Sequence, residues 1–195
     1  TITYIEQSLN EYRKPFQKLT KEEIIKISIR VLRDKGYHNT SMSDLAKACG
    51  LTKGLFYHYF KNKHEMMEVV LREVSSGFSE KVFSIAYQDE LSHVERAKMM
   101  AIKCLNLFSG EKGGCIMGNS ILESLHGTPE FKVSIRRFFD EWIRAFEYLF
   151  SARYGKGEAP QMAKEAVGEI EGAIMLMQLY DDQSYLERVL KKIIK

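Results

Sequence analysis

Apolar residues return every third or fourth position along most of this chain, and the runs they form are closed off by glycines, prolines and capping residues. That rhythm predicts an all-α protein of about nine helices. Thr20-Lys21-Glu22-Glu23 has the form of a capping box, in which a hydroxyl and a carboxylate each meet a backbone N–H that lacks a helical partner. The helix it opens places Ile24, Ile27, Ser28, Val31 and Leu32 on one face and stops at Gly36, a residue suited to a helix C-terminus. Ser41-Met42-Ser43-Asp44 repeats the box and starts a very short helix ending near Cys49-Gly50. Thr52 then caps a second short helix through Tyr59. Asn62-Lys63-His64-Glu65 opens a long helix with Met66, Val70, Val74 and Phe78 inward.

The same signals continue to the end. Ser92-His93-Val94-Glu95 opens a helix striped by Ala97, Met100, Ala101, Cys104, Leu105 and Phe108. Gly110, Gly113 and Gly114 interrupt, and a shorter helix is expected from about Cys115 to Leu125. Pro129 suits a first helical position, and behind it Ile135, Phe138, Phe139, Trp142, Ile143, Phe146, Leu149 and Phe150 keep helical spacing until Gly155. Pro160 is expected to begin the next helix, through about Leu179, and Ser184 to Ile194 forms the last. Residues 1–19 suit either a marginal helix through Tyr4, Ile5, Leu9 and Tyr12 or a basic arm of Arg13, Lys14 and Lys18. The expected division is an extension at 1–19, a small domain at 20–65 and a larger one at 66–195.

Two short helices joined by a glycine-containing turn, set between two longer ones, have the helix-turn-helix arrangement. Leu45, Ala46, Leu51, Leu55 and Phe56 have the spacing to pack the pair together, and Gly50 suits the turn. The polar side of the second helix then presents Thr52, Lys53, Gly54, Tyr57 and His58. A lysine and a helix N-terminus attract phosphate, glycine lets backbone come close, and tyrosine combines a hydrogen bond with packing on sugar.

Charge sharpens this picture. The net +3 is uneven: residues 1–63 carry 12 Lys+Arg against 6 Asp+Glu, while the remainder carries 17 against 20. A basic front on a slightly acidic body suits a polyanion at one end.

Leu51-Thr52-Lys53-Gly54-Leu55-Phe56-Tyr57-His58-Tyr59-Phe60-Lys61-Asn62-Lys63, and more broadly Gly36 through Met66, closely resembles the DNA-binding domain of the tetracycline-repressor (TetR) family. The resemblance implies that Ser43, Thr52, Lys53, Gly54 and Tyr57 face the major groove of double-stranded DNA. It also implies that Thr40, His58, Tyr59 and Lys63 hold the phosphates. Gly114-Cys115-Ile116-Met117-Gly118-Asn119, with Glu123 a turn later, and Glu171-Gly172-Ala173 resemble one branch of the same family more distantly. That likeness implies a helical ligand-binding and dimerisation domain, whose inducer changes the separation of two DNA-binding heads and so releases a repressor.

One short helix reads only a few base pairs, so a palindromic operator asks for a homodimer with readers about 34–36 Å apart. Val167, Ile170, Ile174 and Met177, then Tyr185, Leu186, Val189 and Ile193, give apolar faces for that interface, with Gly168 and Gly172 allowing close approach. The same stripes also suit the protomer's own core. For an unknown small-molecule inducer the candidate lining is Phe108, Cys115, Met117, Asn119, Phe139, Trp142, Phe146, Met175 and Gln178, a set that reads equally as core. Cys115, at a helix N-terminus near Lys112, suits either a thiol of lowered pKa that reacts with electrophiles or oxidants, or a small helix-start residue that packs quietly.

Other classes find little support. There is no nucleophile beside a base, no phosphate loop and no metal-ligand spacing among the five histidines and three cysteines, so neither an enzyme nor a cofactor is expected. No apolar run approaches the roughly 18 residues of a membrane span, nothing resembles a signal peptide, and a cytoplasmic location is expected. One alternative stays open: a DNA-binding regulator whose larger domain docks a protein rather than a small molecule. Activation in place of repression is equally compatible with the residues.

Overall fold

The structure, a computed structural model, describes residues 19–109, 113–124 and 131–194. The expected extension, the placement of Pro129 and the neighbourhood of Lys112 lie outside those residues. Among the described residues there are eight α-helices and no strand. They are α1 (Lys21–Lys35), α2 (Met42–Ala48), α3 (Lys53–Tyr59), α4 (Lys63–Lys81), α5 (His93–Phe108), α6 (Ile116–Ser124), α7 (Lys132–Tyr180) and α8 (Ser184–Ile194). A 3-10 turn, Phe83–Tyr87, follows α4 and had no capping signal in the sequence.

The side-chain caps expected at Thr20, Ser41, Thr52, Asn62 and Ser92 are formed. Thr20 Oγ1 accepts from the Glu23 N–H at 3.2 Å while Glu23 Oε2 accepts from the Thr20 N–H at 2.7 Å. Ser41 and Asp44 repeat this reciprocity at 3.1 and 2.8 Å. Thr52 accepts from the Leu55 N–H, and Asn62 Oδ1 from that of Glu65. Each contact satisfies a donor that the first helical turn leaves unpaired.

Ile24, Leu32, Leu45, Ala46, Phe56, Phe60, Met66 and Met67 form the buried centre of the small head. Leu55 does not join them, being 41% exposed on α3. Between α2 and α3 the chain reverses through Gly50 at φ +64°. There the Leu51 N–H donates to the Ala46 carbonyl and the Gly50 N–H to that of Lys47, at 2.9 and 3.0 Å. This pair of bonds closes the end of α2 and requires a left-handed residue at its centre.

α4 runs without a break across the expected domain boundary at 65/66. Its first turns bury Met66 and Met67 in the head, and its last turns place Phe78 among Phe83, Phe108, Phe138 and Trp142 in the larger bundle. Trp142 stacks on Phe83 and on Phe139, with centroids 6.0 and 6.3 Å apart. α7 is bent at Gly155, whose φ of 72° is non-helical, into two arms. The second arm therefore begins before Pro160, slightly earlier than expected, and it packs with α8 against the first.

Replacing Gly50 by alanine meets no neighbouring atom, so only backbone strain opposes it. Gly50→Ala is expected to lower stability by about 1–2 kcal/mol, read as a shift of the urea midpoint at unchanged slope.

Candidate nucleic-acid interface and a groove in the larger domain

The outward ridge of α3 is made by residues one turn apart. Lys53 Nζ lies 6.0 Å from the centroid of the Tyr57 ring, and Tyr57 is 42% exposed although its neighbour Phe56 is fully buried. Thr52, Lys53, Gly54 and His58 are likewise exposed, as is Ser43 on α2. Beside the ridge runs an open groove of about 400 Å³, bordered by His38, Thr40, Ser43, Lys53, Tyr57 and Lys63. Lys53, Tyr57 and Ser43 thus share one surface, with cationic, aromatic and hydroxyl groups facing solvent together. Exposed Leu55 was missed by periodicity, which gave it to the core; it adds an apolar contact on the same short helix.

Three expected phosphate ligands are placed differently from His58. Thr40 is 1% exposed, and its hydroxyl donates to the Gly36 carbonyl at 2.7 Å. Lys63 Nζ donates to the Tyr37 carbonyl at 3.0 Å and sits 4.3 Å over the Tyr37 ring. Tyr59 is half-buried against Phe60. Lys63 therefore fastens the 36–41 loop to α4 while Thr40 braces that loop from within, tasks that spacing alone does not reveal.

The apolar faces of α7 and α8 also separate into inner and outer sides. Val167, Ile170, Ile174, Met177 and Leu186 are buried within the protomer, and Tyr185, Val189 and Ile193 pack half-buried against the same core. Met175 and Leu179, at 60% and 67% exposed, face outward with Gly168 on the opposite side of the arm.

The expected ligand-lining residues divide in the same way. Phe108, Met117, Trp142 and Phe146 are packed interior. The cavity bordered by Trp142, Phe146, Met100 and Cys104 holds only about 10 Å³, about the space of one water probe and too little for an organic ligand. Cys115, Asn119, Phe139, Met175 and Gln178 do come together, around a groove of about 520 Å³ between α6 and the second arm of α7. Glu171, quoted in the sequence only as part of a resemblance, lies in the same wall. Asn119 Nδ2 donates to the Gly113 carbonyl at 2.5 Å, and Gln178 Oε1 accepts from the Gly113 N–H at 3.1 Å. Both amides thus hold the loop that precedes α6.

For Cys115 the two sequence readings separate. Its thiol is buried, and burial, followed by the charge of Glu171, pushes its pKa well above the usual thiol value. A group so placed is a poor thiolate.

A compact helix-turn-helix head with a basic and aromatic outer ridge, joined to an all-helical body, defines a DNA-binding transcription regulator. The chain belongs to the tetR family of bacterial regulatory proteins. Residues 24–70 match the pattern described as Bacterial regulatory proteins, tetR family, and residues 96–192 match the LmrA/YxaF-like C-terminal domain of transcriptional regulators. The HTH-type transcriptional repressor DhaR of Mycobacterium sp. is 21% identical over 176 residues, 87% of this chain and 88% of that one. The transcriptional regulator AcuR of Cereibacter sphaeroides is 24% identical over 173 residues, 85% of this chain and 79% of its own. A TetR transcriptional regulator from Legionella pneumophila shares the fold at a TM-score of 0.82, with 21% identity over 91% of this chain and 97% of that one. No described helix is long and apolar enough to cross a membrane.

Glu171 has an electrostatic consequence for the fold. Burial raises its pKa from the ordinary 4.5 to about 7, with a smaller opposing effect from the Cys115 thiol. The folded chain therefore holds this proton more tightly than the unfolded chain does. The stabilisation is fully present below about 4.5 and is lost as pH rises through about 7. Glu171→Gln is expected to remove this contribution. Its stability relative to wild type should rise between about pH 5 and pH 8 by up to about 3 kcal/mol, measured by denaturant unfolding at each pH. A pH-independent difference would contradict the assignment.

Proposed function

We propose that two copies of this chain bind a palindromic operator as a repressor and that a small molecule reaching the larger domain releases them. The observation that carries the DNA-binding part is the outward ridge of Lys53 and Tyr57 beside an open groove on a basic head. In this reading Ser43, Thr52, Lys53, Gly54 and Tyr57 meet base edges, Leu55 offers an apolar contact to a thymine methyl, and His58 and Tyr59 meet phosphates. Thr40 and Lys63 act by fixing the loop that flanks the duplex. The protein works where bacterial DNA is, in the cytoplasm.

Support for the homodimer keeps Gly168 and Gly172 but replaces the buried apolar residues that periodicity suggested with Met175 and Leu179. Gly168, Gly172, Met175 and Leu179 follow one another at helical spacing on the outer side of α7's second arm. Small residues let two such helices approach, and two large exposed apolar side chains supply area to bury. The 520 Å³ groove supports the ligand part, since its size suits a small organic molecule, whereas the core cavity beside Trp142 holds only about 10 Å³.

Selection of duplexes from a random pool by the purified chain, followed by anisotropy titrations at several salt concentrations, tests the proposal. A palindromic consensus bound with a steep salt slope is expected, and indiscriminate polyanion binding would refute it. Tyr57→Ala should weaken binding to that consensus by about 1–3 kcal/mol while leaving the unfolding midpoint in place. Leu179→Lys should shift the sedimentation-equilibrium mass from dimer towards monomer and weaken operator binding with it. A variant that stays fully dimeric would move the interface elsewhere.

A further inference from the structure

The groove between α6 and the second arm of α7 contains an unusual imbalance of polar groups. Most of its wall is apolar, from Ile121, Leu122, Phe139, Ile174 and Met175. Its two amide side chains are engaged with the backbone of Gly113. The acidic group of the wall is the Glu171 carboxyl. Its Oε1 is fully buried and has no hydrogen-bond partner among the described residues. The Cys115 thiol reaches this carboxyl, but a thiol is a weak donor and carries no charge.

The carboxyl is also built into its position. At Gly118, on the facing helix, a Cβ would lie 2.7 Å from Glu171 Oε2, so the absence of a side chain there is what lets the carboxyl sit against α6. An ionised carboxylate held in an apolar wall without a counter-charge is destabilised by several kcal/mol. None of the lysines, arginines or histidines of the described residues borders this groove. Among the described residues, then, the wall supplies no positive charge to neutralise Glu171.

We propose that this groove is a binding site for a small apolar cation, an aromatic or alkyl body carrying a protonated or quaternary nitrogen, with Glu171 as its counter-charge. Phe139 supplies a second contact. Its ring lines the groove and is held parallel to Trp142, at an interplanar angle of 11°. An aromatic face near a carboxylate in a desolvated site attracts a cation twice, through charge and through the ring quadrupole. Leu122, 60% exposed, remains to cover the apolar body of the ligand. A neutral donor would satisfy one lone pair of Glu171 and leave its charge uncompensated. This assignment deepens the reading that the larger domain takes a small molecule, and rests on it.

A cation in the groove stabilises the ionised form of Glu171, so binding should strengthen with pH. The other ionisable groups facing this carboxyl among the described residues are Cys115, just before α6, and Cys104 on α5. Burial holds both thiols neutral, with Cys104 pushed up to about 12. Glu171 itself is then the group that titrates near neutrality.

The test compares two probes of the same shape, phenyltrimethylammonium and tert-butylbenzene, on the full dimeric chain. Binding is followed by calorimetry and by the fluorescence of Trp142, the single tryptophan, which stacks on Phe139. At about pH 8 the cation is expected to bind about tenfold or more tightly than its neutral isostere. That ratio should fall several-fold at about pH 6, where Glu171 is mostly protonated, and approach unity in Glu171→Gln. Equal affinities in the wild type, an unchanged ratio in Glu171→Gln, or binding of neither probe, as when a second copy fills the groove, would each overturn the proposal. Titrating the selected operator in the presence of each probe separates the two readings. A cation preference without any change in operator affinity keeps the ligand class and removes the inducer function. Release of the operator by other small molecules, with no cation preference in the groove, does the reverse.

Discussion

Everything in this molecule is referred to one continuous helix, α4. Met66 and Met67 in its first turns complete the core of the head, while Phe78 in its last turns lies at the centre of the aromatic cluster of the body. An α-helix transmits rotation and tilt along its length because its backbone hydrogen bonds keep it stiff. The head cannot change its orientation without disturbing packing around Phe78, and the body cannot repack there without moving the head. Two polar contacts reinforce the joint. Lys63 ties the start of α4 to the Tyr37 carbonyl at 3.0 Å, and Glu123 of α6 accepts from the His38 N–H at 3.0 Å. The head is thus held to the body at both α4 and α6.

In the head itself, very short helices are made possible by their caps and their surroundings. A seven-residue helix in water gains too few hydrogen bonds to repay nucleation. α3 persists because Thr52 satisfies its first turn and Phe56 is fully buried beneath it. Burial of that one side fixes the opposite side outward, which is why Lys53, Tyr57 and His58 stand together on the surface. The same economy explains Thr40 and Lys63: polar residues next to the outward ridge are used to hold the loop that borders it.

The body shows how dense packing restricts where a ligand fits. Phe78, Phe83, Phe108, Phe138 and Trp142 fill the middle so completely that only about 10 Å³ remains beside them. Space is left instead along α6, where three glycines in 113–118 keep side chains out of the way. Glu171 faces that space, and its raised pKa and the raised pKa of Cys115 are two views of one fact, the burial of acidic groups in an apolar wall. The pair keeps Cys115 protonated, contrary to what its position at a helix start suggests.

The helices, their caps, the turn at Gly50 and the outward position of Lys53 and Tyr57 were legible in the sequence, because each depends on residues within a few positions of one another. Hydrogen bonds of caps and turns are local, and a 3.6-residue repeat reveals one buried face. Tertiary structure alone decided which of two apolar faces on α7 turned inward, so that Ile170 and Ile174 went to the core and Met175 and Leu179 to the surface. It also decided that Asn119 and Gln178 hold a loop, that Lys63 meets the Tyr37 carbonyl, and that Glu171 is buried. A helix with apolar residues all round does not announce its partner, and a polar side chain does not announce whether its partner is water, backbone or ligand. Those outcomes depend on what lies across from the residue in space, which periodicity along the chain does not encode.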